Sequence, residues 1–161
     1  MAHNIRSLHN VGSLFRTADG AGVEQVYLTG YSGTPVDKFG RARGEVAKVA
    51  LGAEKIITWE FKKDIGKLIA RLRADGIFVI ALELDKKAIP YTDVSKHYKQ
   101  KIAAARGVAL VVGNEVRGIS ARILNNCDAV VYIPMRGKKE SLNVGVAAGI
   151  ALFQLRASLA E

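Results

Sequence analysis

Four short stretches of the chain hold side chains able to orient a polar ligand. They are Asn10 with Arg16, Leu82 with Glu83, Gly113-Asn114-Glu115, and the run "IPMRGKKESLN" from Ile133 to Asn143. Together they offer amides, a hydroxyl, carboxylates and a guanidinium, the groups that align a nucleophile, route a proton and grip an anion. Covalent and metal chemistry find no support. There is no G-x-S-x-G elbow, Cys127 is the only cysteine, and His3, His9 and His97 lack metal-ligand spacing.

Each stretch also has an ordinary structural reading. Asn10 is placed to cap the first helix, and Arg16 falls about 100° from Phe15 and about 200° from Leu14, off the apolar stripe. Glu115 opens the turn into a helix that Gly118 interrupts, and acidic residues suit helix N-termini. Ser141 is a good N-cap for the final helix, which puts Asn143 in its first turn. His97, among lysines and a tyrosine, reads as solvent-facing. A cap alone does not need what precedes Ser141: Pro134 stiffening the loop and Gly137, Lys138 and Lys139 making it basic and mobile.

The elements that must position these residues follow from periodicity. Val26–Leu28, Ile56–Trp59, Ile77–Leu84, Val108–Val112 and Ala129–Ile133 read as strands. Val11, Leu14, Phe15 and Ala18 mark one helix; Ile65, Leu68, Ile69 and Leu72 mark another, with Gly76 as its stop. Continuous runs such as "IFVIAL" and "VALVV" suit strands covered on both faces, so the chain reads as α/β with a mostly parallel sheet flanked by helices. In such sheets ligands bind beyond the carboxyl ends of the strands, where three of the four stretches fall.

Familiar phosphate loops are absent. Gly20 and Gly22 precede the first of these strands, and Gln25 stands where a dinucleotide fingerprint needs its third glycine. "GNEVRGIS" has the outline of a Walker A loop with Ile119 in place of the lysine.

A chain of 161 residues, 49% hydrophobic, with 16 Gly and 3 Pro, fits one packed domain, residues 1–161. With one cysteine, no signal-peptide pattern at the N-terminus, and Val144–Phe153 too short to span a bilayer, a cytoplasmic protein with no membrane association is expected. The net charge of +9 draws polyanions. Lys38, Arg41 and Arg43 on the long loop Tyr31–Gly44, with Arg136, Lys138 and Lys139, are candidate phosphate contacts. The alternative is a solvated basic surface.

"HNVGSLFRTADGAGV", "VVGNEVRGIS" and "IPMRGKKESLNVGVAAGIALFQ", in that order, resemble the three motifs of the SpoU/TrmH-type 2′-O-ribose RNA methyltransferases of the SPOUT superfamily. The likeness runs from about Asn4 to Leu155. It implies a SPOUT-type fold with a C-terminal trefoil knot, S-adenosylmethionine as cofactor, RNA (tRNA or rRNA) as substrate, and a homodimer.

Carried over by position, Leu82, Glu83, Gly113, Ile133, Met135 and Leu142 are the implied walls of the cofactor pocket. Asn10, Arg16, Glu115, Ser141 and Asn143 are the implied catalytic set, with Glu115 holding Asn143, Arg16 or its own loop. The family proposes Arg16 as activator of the ribose hydroxyl. An arginine stays protonated to above about pH 12, so gripping the neighbouring phosphate is the preferred role. Many relatives have an N-terminal RNA-binding domain, and none separate from the catalytic body is expected here. A non-catalytic RNA-binding relative is the alternative function, and a base-methylating SPOUT enzyme fits the fold but not the Ser-Leu-Asn motif.

Overall fold

Alternation of side chains along the strands dictates a three-layer arrangement. The structure, a computed structural model, describes residues 1–159. Among these, seven strands form one sheet: β1 (Ala2–His3), β2 (Gln25–Thr29), β3 (Thr58–Lys62), β4 (Ile77–Leu82), β5 (Ile89–Pro90), β6 (Gly107–Val112) and β7 (Ala129–Tyr132). Their order is β3-β2-β1-β6-β4-β7-β5, and every pairing is parallel.

The helices are α1 (Leu8–Gly20), α2 (Gly44–Ala50), α3 (Ala53–Ile56), α4 (Ile65–Ala74), α5 (Val94–Ala104), α6 (Ala121–Leu124) and α7 (Val144–Leu159). Phe78, Ile80, Leu110, Val112, Ala129 and Val131 point to one face and pack with Val11, Leu14, Phe15 and Ala18 of α1, Val46 of α2 and Ala148, Ala151 and Leu155 of α7. Val79, Ala81, Val111 and Val130 point to the other and pack with Ile65, Leu68, Ile69 and Leu72 of α4 and Leu124 of α6. The apolar runs are therefore covered on both sides, as their continuity predicts. Emptying a core position as fully enclosed as Phe15 would cost about 3–5 kcal/mol.

Some sequence expectations are corrected. β1 and β5, two residues each, have no apolar run to announce them. The second expected strand begins later: Ile56 ends α3 with its side chain 71% exposed, and β3 starts at Thr58. β4 stops at Leu82, where Glu83 turns away to serve the loop after β6.

The caps also shift. Ser7 caps α1, its hydroxyl accepting the Asn10 N–H at 3.2 Å, so Asn10 sits in the first turn rather than at the cap. At α7 the cap is Asn143, whose Oδ1 accepts the Gly145 N–H at 2.9 Å and whose carbonyl accepts Ala147 N–H. Ser141 lies two residues earlier. Asp64 caps α4, and Gly76, at φ +81°, follows its end.

Helix α7 crosses α1 closely at Gly145, where an added Cβ would lie 2.7 Å from Ser13 Oγ. The glycine spacing on α7 thus serves packing within the chain. Among the described residues, no helix is long and apolar enough to cross a membrane, and no group of three or more His, Cys, Asp or Glu could hold a metal ion.

Candidate active site at the carboxyl edge of the sheet

The parallel sheet delivers the ends of β4, β6 and β7 to one edge. There a cavity of about 210 Å³ is lined by Leu82, Glu83, Gly113, Asn114, Glu115, Gly118, Tyr132, Ile133, Met135, Ser141, Leu142 and the start of α7 at Val144 and Ala147, among others. All six residues expected to wall a cofactor line this one space. A larger cavity, about 370 Å³, lies at the opposite edge among Leu14, Val26, Leu72, Leu155 and neighbours. It is lined by none of the expected site residues.

The loop after β6 is built by side chains bonding backbone. Asn114, 8% exposed, accepts the N–H groups of Val116 at 3.0 Å and Arg117 at 2.8 Å on Oδ1, and donates from Nδ2 to the carbonyl of Asn4 at 2.9 Å. The chain then returns as Gly118 N–H reaches the Asn114 carbonyl at 2.9 Å. This is a closed turn in which an Asn side chain replaces backbone partners. Glu115 therefore projects from a tight loop, not from a helix N-terminus as expected; α6 begins only at Ala121.

Glu83 braces that loop from the neighbouring strand. Its carboxylate accepts Ile119 N–H at 2.7 Å and Leu84 N–H at 2.9 Å. Gly118 lies at φ +62°, and a Cβ there would run into the Glu83 carboxylate. At Gly113 a Cβ would meet Gly118 backbone at 2.7 Å, so that glycine is needed by the loop's own closure. The expectation that it lets backbone approach a ligand is not needed to explain it.

The three separate sequence motifs meet through hydrogen bonds. Asn10 Nδ2 donates to Glu115 Oε1 at 2.8 Å, and Asn143 Nδ2 donates to Asn10 Oδ1 at 3.0 Å. Glu115 thus holds Asn10, which holds Asn143, which caps α7. Each Asn uses both ends of its amide, so neither can rotate without breaking two bonds.

Ser141 and Glu115 border the cavity directly. Arg16 is exposed and stands outside the Asn143–Asn10–Glu115 chain. It lies six residues beyond Asn10, about 9 Å along α1 and about 120° around it.

The basic residues form two groups. Arg136, Lys138 and Lys139 are exposed on the segment between β7 and α7, whose Met135, Ser141 and Leu142 line the cavity. Arg41 and Arg43 belong to the loop between β2 and α2. Arg41 pairs with Asp37 at 2.7 Å, and its guanidinium holds that carboxyl below the usual carboxylate range. Arg43 Nε donates to the Val36 carbonyl at 3.4 Å.

Sequence reasoning named Asn114 and Glu83 but missed that Asn114 closes the loop and Glu83 braces it, and it missed Ser7 altogether. Asn114 had a signal, a polar side chain one glycine beyond an apolar strand. Ser7 had one too, three residues before Asn10 at a helix start. The partner of Glu83 lies 36 residues away, beyond any local pattern.

Known proteins similar to this chain share its fold. The chain is 35% identical over 147 residues to the 23S rRNA (guanosine(2553)-2'-O)-methyltransferase RlmP of Bacillus subtilis, covering 91% of this chain and 53% of the relative. Among solved structures, the A. aeolicus TrmH/SpoU tRNA modifying enzyme superposes with a TM-score of 0.79 at 28% identity, covering 98% of this chain and 72% of that one. An AdoMet-bound rRNA methyltransferase from Sinorhizobium meliloti gives 0.83 at 27% identity, covering 97% and 54%. The chain spans about half the length of the curated relatives it matches. The model of one family matches residues 1–153, and this chain belongs to that family, the SpoU rRNA Methylase family.

Proposed function

We propose that the chain catalyses transfer of a methyl group from S-adenosylmethionine to the ribose 2′-hydroxyl of a nucleotide in tRNA or rRNA. The observation that supports this best is the Asn143–Asn10–Glu115 chain, which joins all three motifs beside one cavity. The cavity suits the cofactor chemically. Leu82, Ile133 and Leu142 offer apolar walls for an adenine ring, while the backbone of the Gly113 loop and the Ser141 hydroxyl offer polar partners. When bound, S-adenosylmethionine supplies a methyl group on a sulfonium sulfur.

The residues of this chain do the rest. Asn10 and Asn143, locked by Glu115, fix the face on which a ribose is presented, so alignment is prepaid. Ser141 orients ligand groups at the cavity rim. Arg16, exposed and charged, grips the phosphate beside the target ribose. Arg136, Lys138 and Lys139, and on the other loop Arg41 and Arg43, hold further phosphates, which makes binding fall steeply with salt.

The same reading includes a C-terminal trefoil knot, a homodimer, a cytoplasmic setting and a single methyltransferase domain over residues 1–161. The likeness of the three motifs supports the knot and the dimer, the single cysteine supports the cytoplasmic setting, and a length of 161 residues supports one domain. Sedimentation at graded concentrations tests the dimer.

A thermal-shift titration with S-adenosylmethionine tests the pocket before any substrate is known. At about 100 times the dissociation constant the gain is roughly 2.7 kcal/mol, or on the order of 5–10 °C. The shift should vanish in Leu142→Arg. No shift in the wild-type chain, confirmed by calorimetry with RNA present, would refute the cofactor assignment.

A further inference from the structure

The loop between β2 and α2 ends in an unusual tip. Phe39 is 69% exposed there, giving nothing to the core. The turn that presents it is nevertheless tightly made. Asp37 Oδ1 accepts the N–H groups of Phe39 at 2.8 Å and Arg41 at 3.0 Å, and Asp37 Oδ2 accepts Arg41 Nε at 2.7 Å. Backbone bonds from Asp37 N–H to the Arg41 carbonyl at 2.8 Å and from Gly40 N–H to the Asp37 carbonyl at 3.0 Å close it, with Val36 bridging Ala42.

Two cations flank the phenyl ring: Lys38 Nζ lies 4.9 Å and the Arg41 guanidinium carbon 5.0 Å from its centroid. A rigidly displayed aromatic with cations beside it is the arrangement that binds an unstacked base and its phosphates. Uncharged apolar partners would gain nothing from Lys38 or Arg41.

The loop is anchored toward the site. Tyr31 N–H donates to Asn4 Oδ1 at 3.1 Å, Ile5 N–H to Ser32 Oγ at 2.9 Å and Gly33 N–H to the Ile5 carbonyl at 3.0 Å. Its root is therefore fixed to the segment that leads into α1 and Asn10. The tip springs from the carboxyl end of β2, the edge of the sheet that also bears the cavity.

We infer that Phe39 is a stacking platform for an unpaired base of the RNA substrate, a nucleotide near the one methylated, with Lys38 and Arg41 holding the adjoining phosphates. The inference rests on the RNA-methyltransferase reading above and adds a determinant of which RNA is accepted.

The test is binding of the full chain to total bacterial tRNA and to a 20-nucleotide oligoadenylate, by filter retention across a salt series. Phe39→Ala and Phe39→Leu should each weaken binding on the order of 10- to 100-fold, while Phe39→Tyr stays near wild type. The slope of log affinity against log salt should be unchanged in the Phe39 variants and smaller by about one in Lys38→Ala. An unchanged thermal shift with S-adenosylmethionine shows that the variants fold.

Wild-type-like binding by Phe39→Leu, where the wild-type chain binds RNA, overturns the inference alone. So does a loss of affinity that accompanies loss of a dimer in sedimentation, which would make Phe39 a contact between copies. A wild-type chain that binds neither RNA at low salt overturns the RNA reading itself and the inference with it.

Discussion

Asn143 and Asn10, 133 residues apart, share a 3.0 Å hydrogen bond that ties the cap of α7 to the first turn of α1. Because Asn143 Oδ1 is committed to the Gly145 N–H, only its Nδ2 is free to make the link. Cap and link can therefore be separated. Asn143→Asp keeps an acceptor for the cap and loses the donor, so its Tm should stay within about 2 °C of wild type while methyl transfer falls at least about 100-fold. Asn143→Ala should lose both, with about 1 kcal/mol of stability gone. Equal turnover by wild type and Asn143→Asp would show that the link is only structural.

Asn10→Ala should abolish transfer with little loss of stability, since Ser7 rather than Asn10 caps α1. Ser7→Ala should do the reverse, lowering stability by about 1 kcal/mol while retaining activity. A crossed result, with Ser7 governing turnover, would contradict the assignment.

Glu83 and Gly118 should couple. Gly118→Ala forces a side chain into left-handed backbone and against the Glu83 carboxylate, costing about 1–3 kcal/mol. In a Glu83→Ala background the steric part disappears, so the same substitution should cost less. Denaturant unfolding of the four proteins measures this, and strict additivity would mean that the two groups do not meet.

Cys127 should be a poor nucleophile. Burial, helped by the Asp128 carboxylate, pushes its thiol up to about 11 from 9.0, leaving about one thiolate in ten thousand at pH 7. Because the folded value is the higher, this contribution to stability is full below pH 9.0 and is lost as pH rises toward 11. Reaction with a disulfide reagent at pH 7.5 should be slow in the native protein and fast in guanidinium. Rapid native labelling would contradict the burial.

His3 gives the opposite signature. Burial lowers its pKa from 6.5, and its ring nitrogens face Thr29 Oγ1 at 2.9 Å and the Asn4 amide nitrogen at 3.0 Å, an arrangement for a neutral ring. The unfolded chain then binds the extra proton, so this part of the stability is present above pH 6.5 and is lost as pH falls below it. His3→Gln should flatten the Tm profile in mildly acid buffer. A parallel profile in the variant would exclude His3 as the cause.

Much of the fold was legible because β4, β6 and β7 must be apolar on both faces, and that leaves a continuous run in the sequence. β1 was not legible. Ala2 and His3 form a strand only because β2 and β6 lie on either side. The site was legible as a set of residues but not as a mechanism of support. "ESLN" offers two good caps, and Asn143 is the one that also meets Asn10. The sequence offered Glu115 three partners, Asn143, Arg16 and its own loop; the fold gives it a fourth, Asn10, through which it reaches Asn143.

The strand order also sets when the sheet can close. β1 is the seam between β2-β3 on one side and β6-β4-β7-β5 on the other, and Ala2 reaches both Leu28 and Val112. A growing chain holds half of that seam long before the other half exists, so β1 waits with one edge unpaired until residues 107–112 arrive. Folding governed by so remote a contact is slow, and the half-built sheet offers an open edge to other chains. The yield of folded protein should depend on synthesis rate and chaperones more than its final stability would suggest.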